Sequence, residues 1–374
     1  MRTSLQGIAN KAQRDSTYRF RNLYTMLNDG FLRDSWEYLK KDAASGVDHV
    51  SAADYEQNFD ENISNLVERL KRKRYRAKLV RRSFIPKEGG KTRPLGIPAV
   101  EDKLVQMAVK RILEAIFEQD FLKSSYGYRP ETGALVAARN LRDRLQFGCY
   151  NWVVDADIKS FFDNIDHDWM VKMLQERVDD RALLRLIVKW LKAGILEKDG
   201  QVLHPVTGTP QGGVISPMLA NIYLHYALDL WFERVVKEKC HGQACHFRYA
   251  DDNVFAFEEQ EEAQRFYRAL AKRLGKFGLT LSAEKTLILR FCPIDPNNEN
   301  GRFDFLGFEF YWGKDRKGKE YLKRRTSSKK LRSALKRFTT WCRKNRSLRL
   351  KYLMFKLNAK LRGYYNYYGV IGNG

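Results

Sequence analysis

The sequence predicts an α+β protein: an antiparallel sheet core backed by helices, joined to a basic, all-helical C-terminal segment. Three observations carry this. Strand-like and helical runs mix without the regular β-α-β alternation that builds a parallel sheet. Tight-turn signals at Gly89-Gly90, Asp199-Gly200 and Asp251-Asp252 close strand runs in the way that joins antiparallel neighbours. From residue 320 onward the chain reads as basic and helical, with Leu331, Leu335, Phe338 and Trp341 at helical spacing.

Each element follows from its local pattern. Residues 1–65 are polar and mostly helical, with a turn signal at SGVD (45–48). SFIPKEGGKTRPLGIP (83–98) reads as strand, Gly-Gly turn and strand, punctuated by proline. AVEDKLVQMAVKRILEAIFEQDFL places Leu104, Met107, Ala108, Ile112, Ala115 and Ile116 on one helical face. WVVDADIKSFFDNIDH (152–167) opens as a strand and passes into a helix running from His167 to Gly194. TPQGGVISPMLANIYL (209–224) is a loop entering a long helix. FRYADDNVFAF (247–257) is strand, turn and strand. EEQEEAQRFYRALAKRLGKFG is an amphipathic helix stopped by Gly278, and FDFLGFEFYW is a pair of alternating strands.

Composition narrows the function. An apolar share of 44% with 13% aromatics is that of a globular chain and excludes a disordered one. The formal charge of +23 points to a polyanionic partner. That charge is segregated. Residues 313–374 hold 20 Lys/Arg against Asp315 and Glu320, and residues 69–93 hold 12 against Glu88, which leaves the remainder mildly acidic. Aromatic residues interleave with the basic ones at Trp341, Tyr352, Phe355, Tyr364, Tyr365, Tyr367 and Tyr368, a pattern suited to nucleic acid. The N-terminus has no apolar signal core, and no segment is expected to span a membrane. Five cysteines without framework spacing suit a reducing compartment. CHGQACH (240–246) matches no common zinc spacing and reads as a loop entering a strand.

Asp251 and Asp252 crowd two like charges into an otherwise apolar run, and Asp157 ends another strand pattern. Each alone is an ordinary turn or strand-end aspartate. If the two strands are neighbours, the three carboxylates converge and raise one another's pKa values. Paired Mg²⁺ ions remove that conflict, with Mn²⁺ as a substitute. Two such ions are the general device for in-line nucleotidyl transfer.

At these residues a resemblance becomes specific. YADD (249–252) resembles the metal-binding turn of reverse transcriptases, and DIKSFFD (157–163) their first catalytic motif. TPQGGVISPMLANIYL resembles their template and nucleotide loop. IPKEGGKTRPLGIP resembles the fingers hairpin, and GLTLSAEKT (278–286) and FDFLGFEF (303–310) the last palm motifs. The motifs stand in family order over nearly the whole chain. SGVD, Ser216-Pro217 and LNAKLRGYYNYYG (357–369) make the chain most similar to reverse transcriptases encoded by bacterial group II introns.

The resemblance implies a right-hand polymerase with an N-terminal extension (1–65), fingers and palm (66–312) and a basic helical thumb or maturase-like segment (313–374). It implies Asp157, Asp251 and Asp252 as metal ligands, with the Ile158 carbonyl assisting. Phe162 is the implied gate against a ribose 2′-hydroxyl; on residue type alone it is also an ordinary core aromatic. Lys87 and Arg93 are implied to hold the triphosphate, with Lys91 a second candidate for the lysine's place because a Gly-Gly turn leaves register open. Gln211 and Gly212 contact the incoming nucleotide in this reading. Lys285 protonates pyrophosphate, or is simply an exposed lysine. The implied partners are an RNA template, a DNA or RNA primer and dNTPs, in a bacterial cytoplasmic ribonucleoprotein or nucleoid setting. The chain stops at VIGNG, soon after the maturase-like motif begins, and has no His-rich nuclease motif, so target-DNA cleavage is not expected of it. Two other readings remain: a domesticated relative in phage defence, CRISPR spacer capture or DNA repair, and an RNA-binding splicing maturase with little polymerase activity.

Overall fold

Helical and extended segments follow one another irregularly, as the mixed periodicity requires. Helices α1 (Leu5–Arg14), α2 (Asp29–Trp36), α3 (Ala52–Gln57) and α4 (Phe59–Lys71) precede strands β1 (Val80–Pro86) and β2 (Thr92–Ile97). Helices α5 (Val100–Phe117) and α6 (Ala134–Phe147) lead to β3 (Trp152–Asp157). Then come α7 (His167–Gln175), α8 (Arg181–Leu191), the short β4 (Ile195–Leu196) and β5 (Val202–Leu203), and α9 (Ser216–Leu224). Strands β6 (Ala244–Tyr249) and β7 (Asp252–Phe257) are followed by α10 (Gln260–Gly275), β8 (Leu287–Arg290), β9 (Phe303–Phe305), β10 (Phe308–Lys314) and β11 (Glu320–Thr326). Two helices, α11 (Ser328–Asn345) and α12 (Leu350–Tyr368), complete the order. The computed structural model describes residues 4–86, 92–293, 301–315, 317–370 and 373. The chain divides into two units, one of Met1–Lys123, Lys159–Trp231 and Arg273–Thr280, the other of Ser124–Ile158, Phe232–Lys272 and Leu281–Gly374.

In the first unit, α5 is the central helix. Leu104, Val105, Ala108, Val109, Ile112, Leu113, Ile116 and Phe117 are all fully buried, a wider apolar face than the sequence spacing implies, because α1, α2 and α9 all pack on it. β1 and β2 pair antiparallel from Arg81↔Ile97 to Pro86↔Thr92, as the strand-turn-strand pattern predicts. The expected single helix from His167 is two helices. Asp180 breaks it by capping α8, accepting from the backbone N–H groups of Ala182 and Leu183 at 2.9 and 3.1 Å. Between the two helices, Arg177 is buried, and its guanidinium donates to the carbonyls of Asp15 and Ala12 at the end of α1. Its Nε lies 3.1 Å from Asp120 Oδ2.

In the second unit, β6-β7-β3-β8 form an antiparallel sheet and β11-β10-β9 a second one. Val153, Val254, Ala256, Cys245 and Phe247 on one face of the first sheet share a core with Ala137, Ala138, Leu141 and Leu145 of α6 and with Phe303, Phe305, Phe308, Phe310 and Leu322 of the second sheet. The opposite face packs Phe255 and Phe257 against Phe232 and Phe266. Each such buried phenylalanine contributes about 1.5–3 kcal/mol. Residues 320–326 correct the all-helical expectation. They form β11, paired with β10 along its full length, because Leu322, Arg324 and Thr326 alternate inward with period two. Helices α11 and α12 bury no residue. Among the described residues, no helix is long and apolar enough to cross a membrane.

Replacing Arg177 by Met strands the Asp120 carboxylate in the interior. The expected loss is about 3 kcal/mol of unfolding free energy, measured by urea denaturation at pH 7; a loss below about 0.5 kcal/mol would show that the ion pair is not a keystone of the first unit.

Candidate active site

The hairpin of β6 and β7 turns through two residues, Ala250 and Asp251, with Tyr249 paired to Asp252. Ala250 takes left-handed backbone, φ 56°, as two-residue hairpin turns demand of one or both central residues. β7 lies beside β3, and in their ladder Asp157 is the direct partner of Asp252. Directly opposed residues point to the same face. Asp157 and Asp252 therefore stand side by side at one end of the sheet, with Asp251 in the adjoining turn. Asp157 also accepts from Lys285, whose Nζ lies 2.6 Å from Oδ2. The backbone carbonyl of Asp157 accepts from Ser282 at 2.8 Å, and buried Ile158 bridges to Leu281.

Electrostatics at this end of the sheet are unbalanced. Burial under the surrounding packing, then the charges of Asp251 and Asp157, push the Asp252 carboxyl up to about 6; Lys285 and Lys330 pull the other way. Although protein packs around the carboxyl, Asp252 as a residue keeps surface open to solvent, which weakens both the burial effect and the repulsion. Two residues back along β3, on the same face, burial and the charges of Asp252, Asp157 and Asp304 push Asp155 up to about 7. Asp155 was not anticipated, although its period-two spacing from Asp157 was the signal that could have found it. The like charges are those that a divalent cation relieves, and carboxylate oxygens are the donors that hard cations prefer. Among the described residues, no group of three or more His, Cys, Asp and Glu side chains is already drawn together as a ligand set.

The other expected residues fall in the first unit, apart from Lys87 and Lys91, which lie outside the described residues. Arg93 on β2 donates from Nε to Gln211 Oε1 at 2.7 Å, and Gly96 N–H donates to the Gln211 carbonyl at 2.7 Å. Gly212 has φ 116°, and a Cβ there would sit 2.8 Å from the Gly96 carbonyl oxygen, so only glycine fits. Phe162 is buried, and its carbonyl accepts from Thr209 at 2.8 Å, which ties the FFD turn to the same loop. Gln106 of α5, also not anticipated, accepts the Val214 N–H at 3.0 Å and anchors that loop.

The basic and aromatic segments divide their labour. Arg69, Arg72, Lys78 and Arg82 are paired with Glu101, Glu68, Asp48 and Glu197, so part of the 69–93 charge is spent inside the fold. Of the C-terminal tyrosines, Tyr367 stacks on Phe308 and donates to the Leu306 carbonyl at 2.8 Å, and Tyr368 also packs on Phe308. Tyr365, Phe355 and Tyr352 remain exposed.

The family described as reverse transcriptase (RNA-dependent DNA polymerase) matches residues 85–310, more than half of the chain. The chain belongs to the reverse transcriptase family. Among its relatives, the group II intron-encoded protein LtrA of Lactococcus lactis subsp. cremoris is 44% identical over 167 residues, covering 44% of this chain and 27% of that protein. Protein YkfC of Escherichia coli (strain K12) is 32% identical over 304 residues, covering 73% of this chain and 77% of that one. The expected kinship with group II intron-encoded reverse transcriptases is borne out by these relatives, although the match spans only about a quarter of the Lactococcus protein. A telomerase from Candida albicans, solved with a fragment of telomeric RNA, superposes with a TM-score of 0.51 at 14% identity over 75% of this chain and 50% of that one. This likeness bears out the right-hand polymerase fold. Reverse transcriptases work with divalent metals, which the carboxylate pair of this family member suits.

The raised carboxyls set a pH dependence. The unfolded chain releases the Asp155 proton near pH 3.8, and the folded chain near 7. Between those values the folded state holds more protons, so this contribution to stability is lost as pH rises. In metal-free buffer, Asp155→Asn is expected to melt with wild type at pH 4 and progressively above it toward pH 8; a Tm difference that does not change with pH would refute the shift.

Proposed function

We propose that this chain is an RNA-directed DNA polymerase of the group II intron type, extending a DNA or RNA primer on an RNA template with dNTPs. The observation that carries this reading is the pairing of Asp157 with Asp252 beside the Asp251 turn. In this reading residues 1–65 are an N-terminal extension, 66–312 the fingers and palm, and 313–374 the thumb segment. Asp157, Asp251 and Asp252, with the Ile158 carbonyl, would hold two Mg²⁺ ions, or Mn²⁺ in their place. When bound, such ions lower the pKa of an attacking hydroxyl and neutralise charge on the transferring phosphate.

The chain's own groups do the rest. Arg93, with Lys87 or Lys91, holds the triphosphate through charge-assisted hydrogen bonds. Gln211 both orients Arg93 and contacts the incoming nucleotide, and Gly212 lets the backbone approach closely. Phe162 bars a ribose 2′-hydroxyl. Lys285, free of Asp157 once that carboxylate holds metal, gives a proton to the departing pyrophosphate. The exposed lysines, arginines and aromatics of α11 and α12 bind RNA backbone and bases. We further propose binding and splicing assistance for intron RNA, intron mobility, and a bacterial cytoplasmic ribonucleoprotein setting.

Asp251→Asn is expected to cut dNTP incorporation on a primed RNA template by more than the roughly 10–100-fold typical of a group acting behind the ligands, with RNA affinity unchanged. Retained polymerisation would end the assignment. Phe162→Ala is expected to admit ribonucleotides in the same assay; undiminished discrimination would move the gate elsewhere. RNA affinity is expected to fall steeply with salt, measured by filter binding, and a flat response would remove the electrostatic role of the C-terminal helices.

A further inference from the structure

On the sheet face opposite the carboxylates lies a polar cluster that the chemistry above does not use. Arg248 and His246 of β6 alternate with Phe247 and Tyr249, and Asn253 of β7 alternates with Asp252. Arg248, Asn253 and Ser125 are no more than 1% exposed, and His246 is 5% exposed. Arg248 donates from Nη1 to the Ala250 carbonyl at 3.1 Å and from Nη2 to Ser125 Oγ at 2.7 Å. Asn253 donates from Nδ2 to the Asp251 carbonyl at 2.7 Å. Its Oδ1 lies 3.1 Å from His246 Nε2, so that nitrogen carries the proton. The His246 ring is in turn clamped flat on Phe255, centroids 4.3 Å apart.

The two captured carbonyls flank one residue. The Ala250 carbonyl belongs to the peptide plane before Asp251, and the Asp251 carbonyl to the plane after it. Pinning both planes fixes φ and ψ of Asp251, and with them the direction of its Cα–Cβ bond. The segment before α6 adds a third restraint. Arg248 N–H donates to the Ser124 carbonyl, and Tyr126 N–H to the Arg248 carbonyl, each at 2.8 Å. Gly127 then passes so close to the Ala250 nitrogen that no Cβ fits between them. Burying an arginine, an asparagine and a histidine behind a two-residue turn is costly, and an apolar face would be more stable. A polar network there is intelligible if accurate aim of the turn is what it supplies.

We propose that Arg248 and Asn253 are positioning residues which hold the Asp251 carboxylate in metal-binding orientation. The inference rests on the polymerase reading of the site. The test uses the full chain with Asn253→Leu and Arg248→Met, which keep volume and remove the donors. Mn²⁺ binding to the free protein is titrated by electron paramagnetic resonance. The Mg²⁺ concentration for half-maximal primer extension and the amide hydrogen exchange of residues 250–253 are measured alongside. Both variants are expected to weaken Mn²⁺ binding and raise the Mg²⁺ requirement about 10–100-fold, and to speed exchange at Asp251 and Asp252 at least about tenfold while β3 and α6 keep wild-type protection. Unchanged metal dependence in a folded variant overturns the proposal. So does exchange accelerated equally across the whole sheet, which would mark a merely structural role. If both variants fail to fold, Ser125→Ala, which removes only the outer acceptor, carries the same expectation and the same refutation. Asp251→Asn run in parallel separates the two failures. If it extends primers normally, the polymerase reading falls and takes this inference with it; if it is inactive while Asn253→Leu behaves as wild type, only the positioning role falls.

Discussion

The register of β3 against β7 is the constraint on which the second unit depends. Side chains alternate along a strand, so a slip of one residue would turn every side chain of β3 to the opposite face. Here both faces are packed. Val153 enters the core shared with α6 and the second sheet, while Val154 and Ala156 face the other way and are equally buried. β8 pins the far side of β3 from Asp155↔Leu287 to Trp152↔Arg290. Apolar packing from two sides thus decides where Asp157 stands, although Asp157 takes no part in it.

That packing works against the charges it positions. The charges of Asp252, Asp157 and Asp304 all act on Asp155, and the ammonium groups of Lys285 and Lys330 are counter-charges acting on Asp252. A fold optimised only for stability would not gather carboxylates where burial raises their pKa values. Conflicts of this kind between local preference and global structure are expected at functional sites. Cations, whether lysine or divalent, relieve the same repulsion, which makes the Lys285–Asp157 contact and metal occupancy alternatives for one electrostatic need.

Much of this was legible in the sequence because it is local. Turn chemistry announces the β6–β7 and β4–β5 hairpins, and period-two alternation announces β9 and β10. Ordered motifs announce the family without any geometry. What was not legible depends on partners distant in sequence. Residues 320–326 are rich in Lys and Arg and read as helix, yet β10 offers a full edge and Leu322 has a core to enter. The break at Asp180 turns on a capping side chain within the largely polar run 175–181, which interrupts two apolar helical faces. Arg248 and Asn253 look like ordinary strand residues until the Ser124–Gly127 segment and the turn carbonyls are brought to them. The tyrosines of α12 read as a nucleic-acid surface; two of them instead find Phe308 and the Leu306 carbonyl.

Those two tyrosines give the last helix a mechanical role. Leu306 and Gly307 form the bend between β9 and β10, both in left-handed backbone, and Tyr367 is riveted to the bend by its hydroxyl while Tyr368 packs on the phenylalanine that follows. The rest of α12 stands free of any core. Just beyond the helix, Asn373 bonds both the Tyr368 carbonyl and Thr326 of β11, so the C-terminal end of α12 is fastened to two neighbouring strands while its N-terminal length is not, and a load on that length is passed to the second sheet through its terminal turn.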